Sequence, residues 1–338
     1  MITKFKASKF TVFTDLNVEF SSGINIFVGQ NGTGKTHLMK AVYSACCLIN
    51  KKIDIPLDRK VKSVFNPNSI GRLVHRAVGR NSGYITIYRK NGNEERERSI
   101  TLELTSQNKA NVKHDSWFID ESVEAVFIPV KDMLANAPGF RSLFSQKKLA
   151  YEEVYLDIID KAFVPIARGR LNSESGNLLN ILAKAMSGRV IEKNETFYLK
   201  NKNGELEFPL LAEGFRKLGL LYRLIQNESL TRGSMLFWDE PEANLNPHLS
   251  QTVVKILLEL SKMGVQIFIS THDYVLLKEF QLASTKGDSV LYHVLYRNDD
   301  GNIEHSSTND LDELSPNAID STYSRILDDE IKIGLKGL

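Results

Sequence analysis

Gly29-Gln30-Asn31-Gly32-Thr33-Gly34-Lys35-Thr36 fits the GxxxxGK[ST] phosphate-binding pattern in full, and its flanks decide the fold. Ile24, Ile26, Phe27 and Val28 precede it as a buried strand, and residues 37–48 follow as a helix. A glycine-rich loop between a strand and a helix has a physical use. Gly29, Gly32 and Gly34 can take backbone angles closed to other residues, so successive N–H groups can point inward at phosphate oxygens. Asn31, Gly32, Thr33 and Gly34 then cradle the phosphates of a nucleotide. Lys35 reaches the β/γ-phosphates, the Thr36 hydroxyl ligates magnesium, and the helix N-terminus adds positive potential. The chain is expected to bind a nucleoside triphosphate.

With 338 residues the chain can bury a sizeable core, as about two domains or one elaborated domain. A composition 42% hydrophobic and 25% charged is ordinary for a soluble globular protein. No apolar run is long enough to cross a bilayer and the start lacks a signal-peptide pattern, so no membrane partner and a cytoplasmic location are expected. Cys46 and Cys47, adjacent in the first helix, read as small packing residues. A net charge of +2 lacks the strong basic field of a dedicated nucleic-acid binder. Its distribution is uneven. Residues 51–90 carry ten Lys/Arg against Asp54 and Asp58, and residues 299–330 carry ten acids against Arg325. Either the two compensate as solvated surface, or the basic segment contacts a phosphate backbone or a protein partner.

Residues 2–20 read as two strands broken at Thr14-Asp15. Residues 84–88 and 100–104 form a hairpin around Asn91-Gly92-Asn93, and 124–130 a short strand. Helical spacing runs from 143 to about 186; a second hairpin follows, 190–199 with 206–211, turned by Asn203-Gly204. From Phe215 the chain alternates: a helix to Gln226, a strand over 235–238, a helix over 247–263, a strand over 265–269. Alternation of this kind predicts a parallel sheet flanked by helices, and a last hairpin follows around Asp300-Gly301.

Met235-Leu236-Phe237-Trp238-Asp239-Glu240 is an apolar strand ending in two acids, the pattern of a Walker B element. Asp239 would hold magnesium through its water shell, and Glu240 would orient or deprotonate the attacking water. Ser270-Thr271-His272-Asp273 follows the next apolar strand, where His272 can hydrogen-bond a γ-phosphate or the water attacking it.

GQNGTGKT at 29–36, LAEGFRKLG at 211–219, MLFWDEPEANLNP at 235–247 and STHD at 270–273 together resemble the ABC-type ATPases of the SMC, RecF and OLD kind. They are most similar to the short ATPases, often labelled AAA, of bacterial phage-defence operons. The resemblance implies an α/β fold, a P-loop NTPase of ABC-ATPase head type. It would have a mixed sheet with flanking helices, antiparallel β hairpins and a helical lobe. Residues 1–134 would supply the N-terminal half of the core, 135–210 the helical lobe with a hairpin, and 211–338 the C-terminal half. It implies ATP and Mg2+ as ligands, hydrolysis of ATP, and a homodimer in which two subunits meet head to tail over composite sites. Ala212, Glu213 and Gly214 would face the γ-phosphate bound by the partner, Asn244 and Asn246 would lie across the interface, and His272 would be the switch histidine.

Three positions depart from the family pattern: Ala212 replaces the usual serine, Glu213 the first of two glycines, and Asn246 an acid or histidine. Lys131 and Asp132 stand where a lining glutamine is usual. These bear on the rate of hydrolysis more than on ATP binding. OLD proteins carry a nuclease domain after the ATPase, whereas about 70 residues or fewer follow His272, too few for a typical separate domain. The expected role is therefore an ATPase subunit controlling a separate effector, a nuclease or toxin, in defence against phage. A DNA-repair or chromosome-associated ATPase that binds DNA through the basic segment is the alternative, and a transporter subunit a more distant one.

Overall fold

The computed structural model describes residues 1–50, 55–92, 96–115, 117, 123–146, 148–166, 169 and 171–336. The chain opens with β1 (Ile2–Phe10) and β2 (Phe13–Glu19), then β3 (Ile24–Val28) leading into α1 (Lys35–Cys47). The β1–β2 turn falls at Thr11-Val12, with Thr14 and Asp15 inside β2. Phe10 and Phe13 pair across the turn and are both buried, so apolar burial overrode the polar composition that suggested a break at Thr14-Asp15. Thr11 accepts a positive φ of 50° as a result.

After α2 (Leu57–Phe65) come β4 (Ser82–Arg89), β5 (Arg98–Thr105), β6 (Ala110–His114) and β7 (Ala125–Ile128). The β4–β5 hairpin is as expected, although Asn93 of its turn lies outside the described residues. Strand β6 is mostly exposed and has no apolar alternation, so residue patterning does not predict it. The helical stretch contains α3 (Phe140–Ser145), α4 (Glu153–Phe163) and α5 (Ser173–Ala185).

The second hairpin is a three-stranded meander of β8 (Arg189–Lys193), β9 (Thr196–Asn201) and β10 (Gly204–Glu207). Its first turn is Asn194-Glu195, both at positive φ, the geometry that matches strand twist. The expected strand over 206–211 stops at Glu207. Pro209 has no N–H for a ladder, and Phe208–Leu210 form a 3-10 turn. The chain ends with α6 (Glu213–Gln226), β11 (Met235–Asp239), α7 (Ser250–Lys262), β12 (Gln266–Thr271), α8 (Tyr274–Ala283), β13 (Val290–Arg297), β14 (Ile303–Thr308) and α9 (Ala318–Lys336).

The central sheet has the order β14-β13-β3-β12-β11-β7 and is parallel except for edge strand β14. Its inner strands β3, β11 and β12 are buried throughout, as a sheet covered on both faces requires. Side-chain alternation divides them between two cores. Ile26, Val126, Trp238 and Ile269 face the layer that contains α4 to α8. Phe27, Phe127, Phe237 and Phe268 face α1 and an antiparallel sheet of order β2-β1-β4-β5-β6.

A buried glutamine joins the two sheets. Gln266 Nε2 donates to the carbonyls of Ile2 and Ser21, and its Oε1 accepts from the Ile2 N–H. Cys46 and Cys47 lie buried in α1, and burial pushes the Cys47 thiol up to about 12, so neither serves as a thiolate at neutral pH. Among the described residues, no helix is long and apolar enough to cross a membrane.

Candidate functional site

The phosphate-loop glycines are fixed by two different constraints. Gly29, Gly32 and Gly34 have φ of 149°, 79° and 96°. A Cβ at Gly29 would lie 2.2 Å from the Leu295 carbonyl oxygen, and one at Gly34 would lie 2.5 Å from the Phe13 ring. Gly32 faces open space, so only its backbone angle asks for glycine. Asn31 is exposed at the loop tip, while Thr33 is buried and its hydroxyl donates to the Gln30 carbonyl at 2.9 Å. Lys35 is buried, with Nζ donating to the carbonyls of Gly29 at 2.6 Å and Gln30 at 3.2 Å. Burial draws its ammonium below the ordinary lysine value, and Glu240, Asp239 and Glu242 pull it back. Arg297, which sequence reasoning missed, leaves the end of β13 and donates to the Gly32 carbonyl at 3.2 Å.

Strand register brings the second half of the site to this loop. Asp239 pairs with Ser270 and Thr271 with Val28, so the carboxyl ends of β11, β12 and β3 lie side by side. The Thr36 hydroxyl lies 3.0 Å from both oxygens of Asp239, and the Ser270 hydroxyl donates to the same carboxylate. Burial raises the Asp239 pKa, and the hydrogen bonds from Ser270 and Thr36 oppose it. One hydroxyl and one carboxylate form a hard oxygen donor pair, which fits magnesium held jointly with nucleotide phosphates. Thr36 and Asp239 are the residues that would hold it, and it would neutralise developing charge on the phosphate oxygens. Next along the chain, Glu240 has φ 48° and its N–H donates to the Ser270 carbonyl at 3.0 Å. Its Oε1 lies 3.5 Å from His272 Nε2, both side chains being partly open to solvent.

Residues 240–245 are held from both sides. Glu242 Oε1 accepts from the Thr271 hydroxyl at 2.7 Å and the His272 N–H at 3.2 Å, while buried Oε2 has no hydrogen-bond partner. Burial raises its pKa. From α6, buried Lys217 donates to the carbonyls of Ala243 at 2.5 Å and Glu240 at 3.4 Å. Asn244, at φ 59°, donates to Glu213 Oε2 at 3.0 Å. A Cβ at Gly214 would come within 3.2 Å of Leu245 Cδ1 and 3.3 Å of the Asn244 carbonyl oxygen, so glycine permits this close approach.

The structure therefore brings Lys35, Thr36, Asp239, Glu240 and His272 together around the phosphate loop. Ala212, Glu213 and Gly214 begin α6 with Ala212 as its N-cap, and they join Asn244 and Leu245 instead. Among the described residues no hydrogen bond links them to the phosphate loop of their own chain. Asn246 caps the turn before α7 by accepting from the His248 N–H at 3.0 Å. Asp132 turns inward, 2.8 Å from Arg216 of α6 with its side chain 1% exposed, and does not line the site as a glutamine there would.

Two family models match the chain. The first, described as "AAA domain, putative AbiEii toxin, Type IV TA system", matches residues 89–278, more than half of the length. The second, described as "AAA domain", matches residues 4–153. Among curated proteins, the DNA replication and repair protein RecF of Cytophaga hutchinsonii is 42% identical over 45 residues, which is 13% of this chain and 12% of that protein. A putative ABC transporter ATP-binding protein of Methanosarcina acetivorans is 29% identical over 164 residues, 48% of this chain and 54% of that protein. The matched segment is thus a small part of the first relative and about half of the second.

Among solved structures, an SMC head bound to the C-winged helix domain of ScpA aligns with a TM-score of 0.59 at 16% identity. That alignment covers 91% of this chain and 97% of the other. A second SMC head, with an extended coiled coil and bound to the C-terminal domain of ScpA derived from Pyrococcus furiosus, gives 0.58 at 14% identity, covering 98% and 99%. At these identities the likeness is one of fold: an SMC-head-like P-loop ATPase with antiparallel sheets beside its mixed sheet. Membership of a P-loop ATPase family implies binding and hydrolysis of ATP. By a match over more than half of its length, the chain belongs to the family of ABC-type AAA-domain ATPases that the first model describes.

Proposed function

We propose that this chain is a magnesium-dependent ATPase subunit that dimerises on ATP and controls a separate effector, a nuclease or toxin, in cytoplasmic defence against phage. The observation that carries the ATPase reading is the placement of Glu240 and His272, 3.5 Å apart, beside the Thr36–Asp239 pair and the loop that holds Lys35. Asn31 to Thr36 bind the phosphates, Thr36 and Asp239 hold Mg2+, and Glu240 takes a proton from water as its oxygen attacks the γ-phosphorus. The bond to the β–γ bridging oxygen breaks, ADP leaves, and His272 steadies the γ-phosphoryl oxygens. Ala212, Glu213 and Gly214, at an open helix N-terminus, approach the γ-phosphate of the partner, with Asn244 at the interface.

Residues 1–134 and 211–338 supply the two halves of the core and 135–210 the lobe between them. The family description, which names a putative toxin of a toxin–antitoxin system, supports an effector-linked role. The test is Glu240→Gln. ATP affinity should persist within about threefold while turnover falls by about a hundredfold or more, and the variant should sediment as a dimer with ATP. Unchanged turnover would remove Glu240 from its role.

A further inference from the structure

We propose that α9 docks on the basic segment around residues 72–80 of a second copy of this chain, forming an interface beyond the composite ATP sites. The inference rests on the ATP-dependent dimer proposed above. Helix α9 is anchored near its start, where Tyr323 stacks on Tyr274 with ring centroids 4.1 Å apart. Beyond that point Ile326, Leu327, Ile331 and Ile333 are open to solvent. Tyr323, Ile326, Leu327, Ile331 and Ile333 fall within about half of the helix circumference, and Ile331 and Ile333 are 60% and 72% exposed. A 19-residue helix with an uncovered apolar face is stabilised by whatever packs on that face.

Charge identifies the occupant. Asp320, Asp328 and Glu330 on α9 make no ion pair among the described residues, and neither do Arg72, Arg76 and Arg80. The arginines lie in an exposed segment around Val78, which is itself fully open to solvent. Lys60, by contrast, is consumed inside the fold, between Glu153 and Asp157 of α4.

Both surfaces flank the nucleotide site. Tyr274 follows His272 by two residues. The arginine segment hangs on the β1–β2 turn, where Thr11 N–H donates to the Leu73 carbonyl and His75 N–H to the Lys9 carbonyl; Val12 and Phe13 of that turn press on Gly34. When two nucleotide faces close on each other head to tail, the apolar stripe of α9 of one subunit, with its three unpaired acids Asp320, Asp328 and Glu330, is brought opposite the arginines and Val78 of the other, twice per dimer. Burial of the apolar stripe and the charge pairing then act together.

The experiment uses the full chain carrying Glu240→Gln, with ATP and Mg2+, and follows dimerisation by sedimentation velocity. R72E/R76E/R80E and D320K/D328K/E330K should each weaken the dimer by about ten- to a hundredfold, three exposed pairs being lost and then made repulsive. Mixing the two variants should restore dimerisation, because each heterodimer then has opposite charges at both contacts. Rescue on mixing excludes misfolding as the cause of the losses. Dimers of parental strength in both variants would overturn the proposal while leaving the ATP-driven dimer intact. So would loss of duplex-DNA affinity in the arginine variant with no change in dimerisation, which would assign the arginines to nucleic acid. A parental chain that stays monomeric with ATP would overturn the dimer reading itself, and this interface with it.

Discussion

Lys217→Met tests how far the geometry at Glu240 depends on a residue that touches no substrate. The ammonium of Lys217 is buried and satisfies the carbonyls of Ala243 at 2.5 Å and Glu240 at 3.4 Å. Methionine keeps the length of the stem and removes the ammonium donor, leaving the Ala243 carbonyl without a partner, while the Glu240 carbonyl keeps only the Ala243 N–H at 3.1 Å. A lost hydrogen bond to a charged group costs about 1.5–3 kcal/mol. Relief of the ammonium's desolvation, which lowers its pKa, offsets part of this.

A net loss of about 1–2 kcal/mol is expected in chemical denaturation, small enough for the protein to stay folded. The effect on catalysis should be larger in proportion. Glu240 has a left-handed backbone at φ 48°, a conformation that persists only while its surroundings impose it. A displacement of about 1 Å at a reacting group costs about a hundredfold in rate. Steady-state ATPase assays should therefore show kcat down by about ten- to a hundredfold, with ATP affinity measured by titration calorimetry within about threefold. Restoration by Lys217→Arg, which keeps donors on a charged head, would separate positioning from bulk destabilisation. A kcat equal to that of the parent in Lys217→Met, with the same loss of stability, would refute the argument.

Three further outcomes follow from the same geometry. Arg216→Met should cost about 3 kcal/mol in urea unfolding, because it leaves the Asp132 carboxylate buried without its ion pair; adding Asp132→Asn should recover much of that, and additive losses would show that the pair is not coupled. Gly34→Ala should lower the melting midpoint more than Gly32→Ala, since the first adds a 2.5 Å clash with Phe13 to the positive-φ cost of about 1–2 kcal/mol that both carry; equal shifts would contradict the close approach.

The third concerns acid stability. Burial holds His305 down to about 4 in the folded chain, so the unfolded chain takes up its proton first as pH falls below about 6.5. His305 should lower stability by up to about 3 kcal/mol between pH 6.5 and pH 4, and buried His37 and His293, whose pKa values burial also lowers, add to that decline. His305→Gln should make the decline shallower in a pH series of melting curves, and an equally steep decline would exclude His305 as a contributor.

The nucleotide site was legible in the sequence wherever its chemistry is contiguous. Glycine spacing, a lysine and a hydroxyl on one loop, and two acids after an apolar strand each identify themselves without tertiary information. Lys217 and Glu242 do not, because their partners are backbone groups that only the fold brings near. One signal for Lys217 existed: with Gly214, Leu218, Leu221 and Leu224 it falls on the buried stripe of α6, where a cation needs acceptors. Asp132 had none, since its cation lies on a helix more than eighty residues away. The errors in the fold share a cause. Local composition predicts a break at Thr14-Asp15, no strand over 110–114 and a strand running on to residue 211, whereas Phe10–Phe13 pairing, sheet-edge hydrogen bonding and Pro209 decide these places.

Glu213 is the departure from the signature pattern that most needs a physical account, since a carboxylate at the mouth of a helix expected to meet a triphosphate is repelled by it. In the structure its Oε2 accepts from Asn244 at 3.0 Å, and it is among the acids that stabilise the charge of buried Lys217. An acid held in this way has part of its field cancelled inside its own chain, so the backbone N–H groups of the α6 N-terminus can still present positive potential outward. The same bond explains Asn244: its left-handed backbone turns the amide toward α6. Replacing Glu213 with glycine would therefore do more than remove a charge near a polyanion. It would release Asn244 and weaken the electrostatic support of Lys217, and through Lys217 it would reach the carbonyl of Glu240.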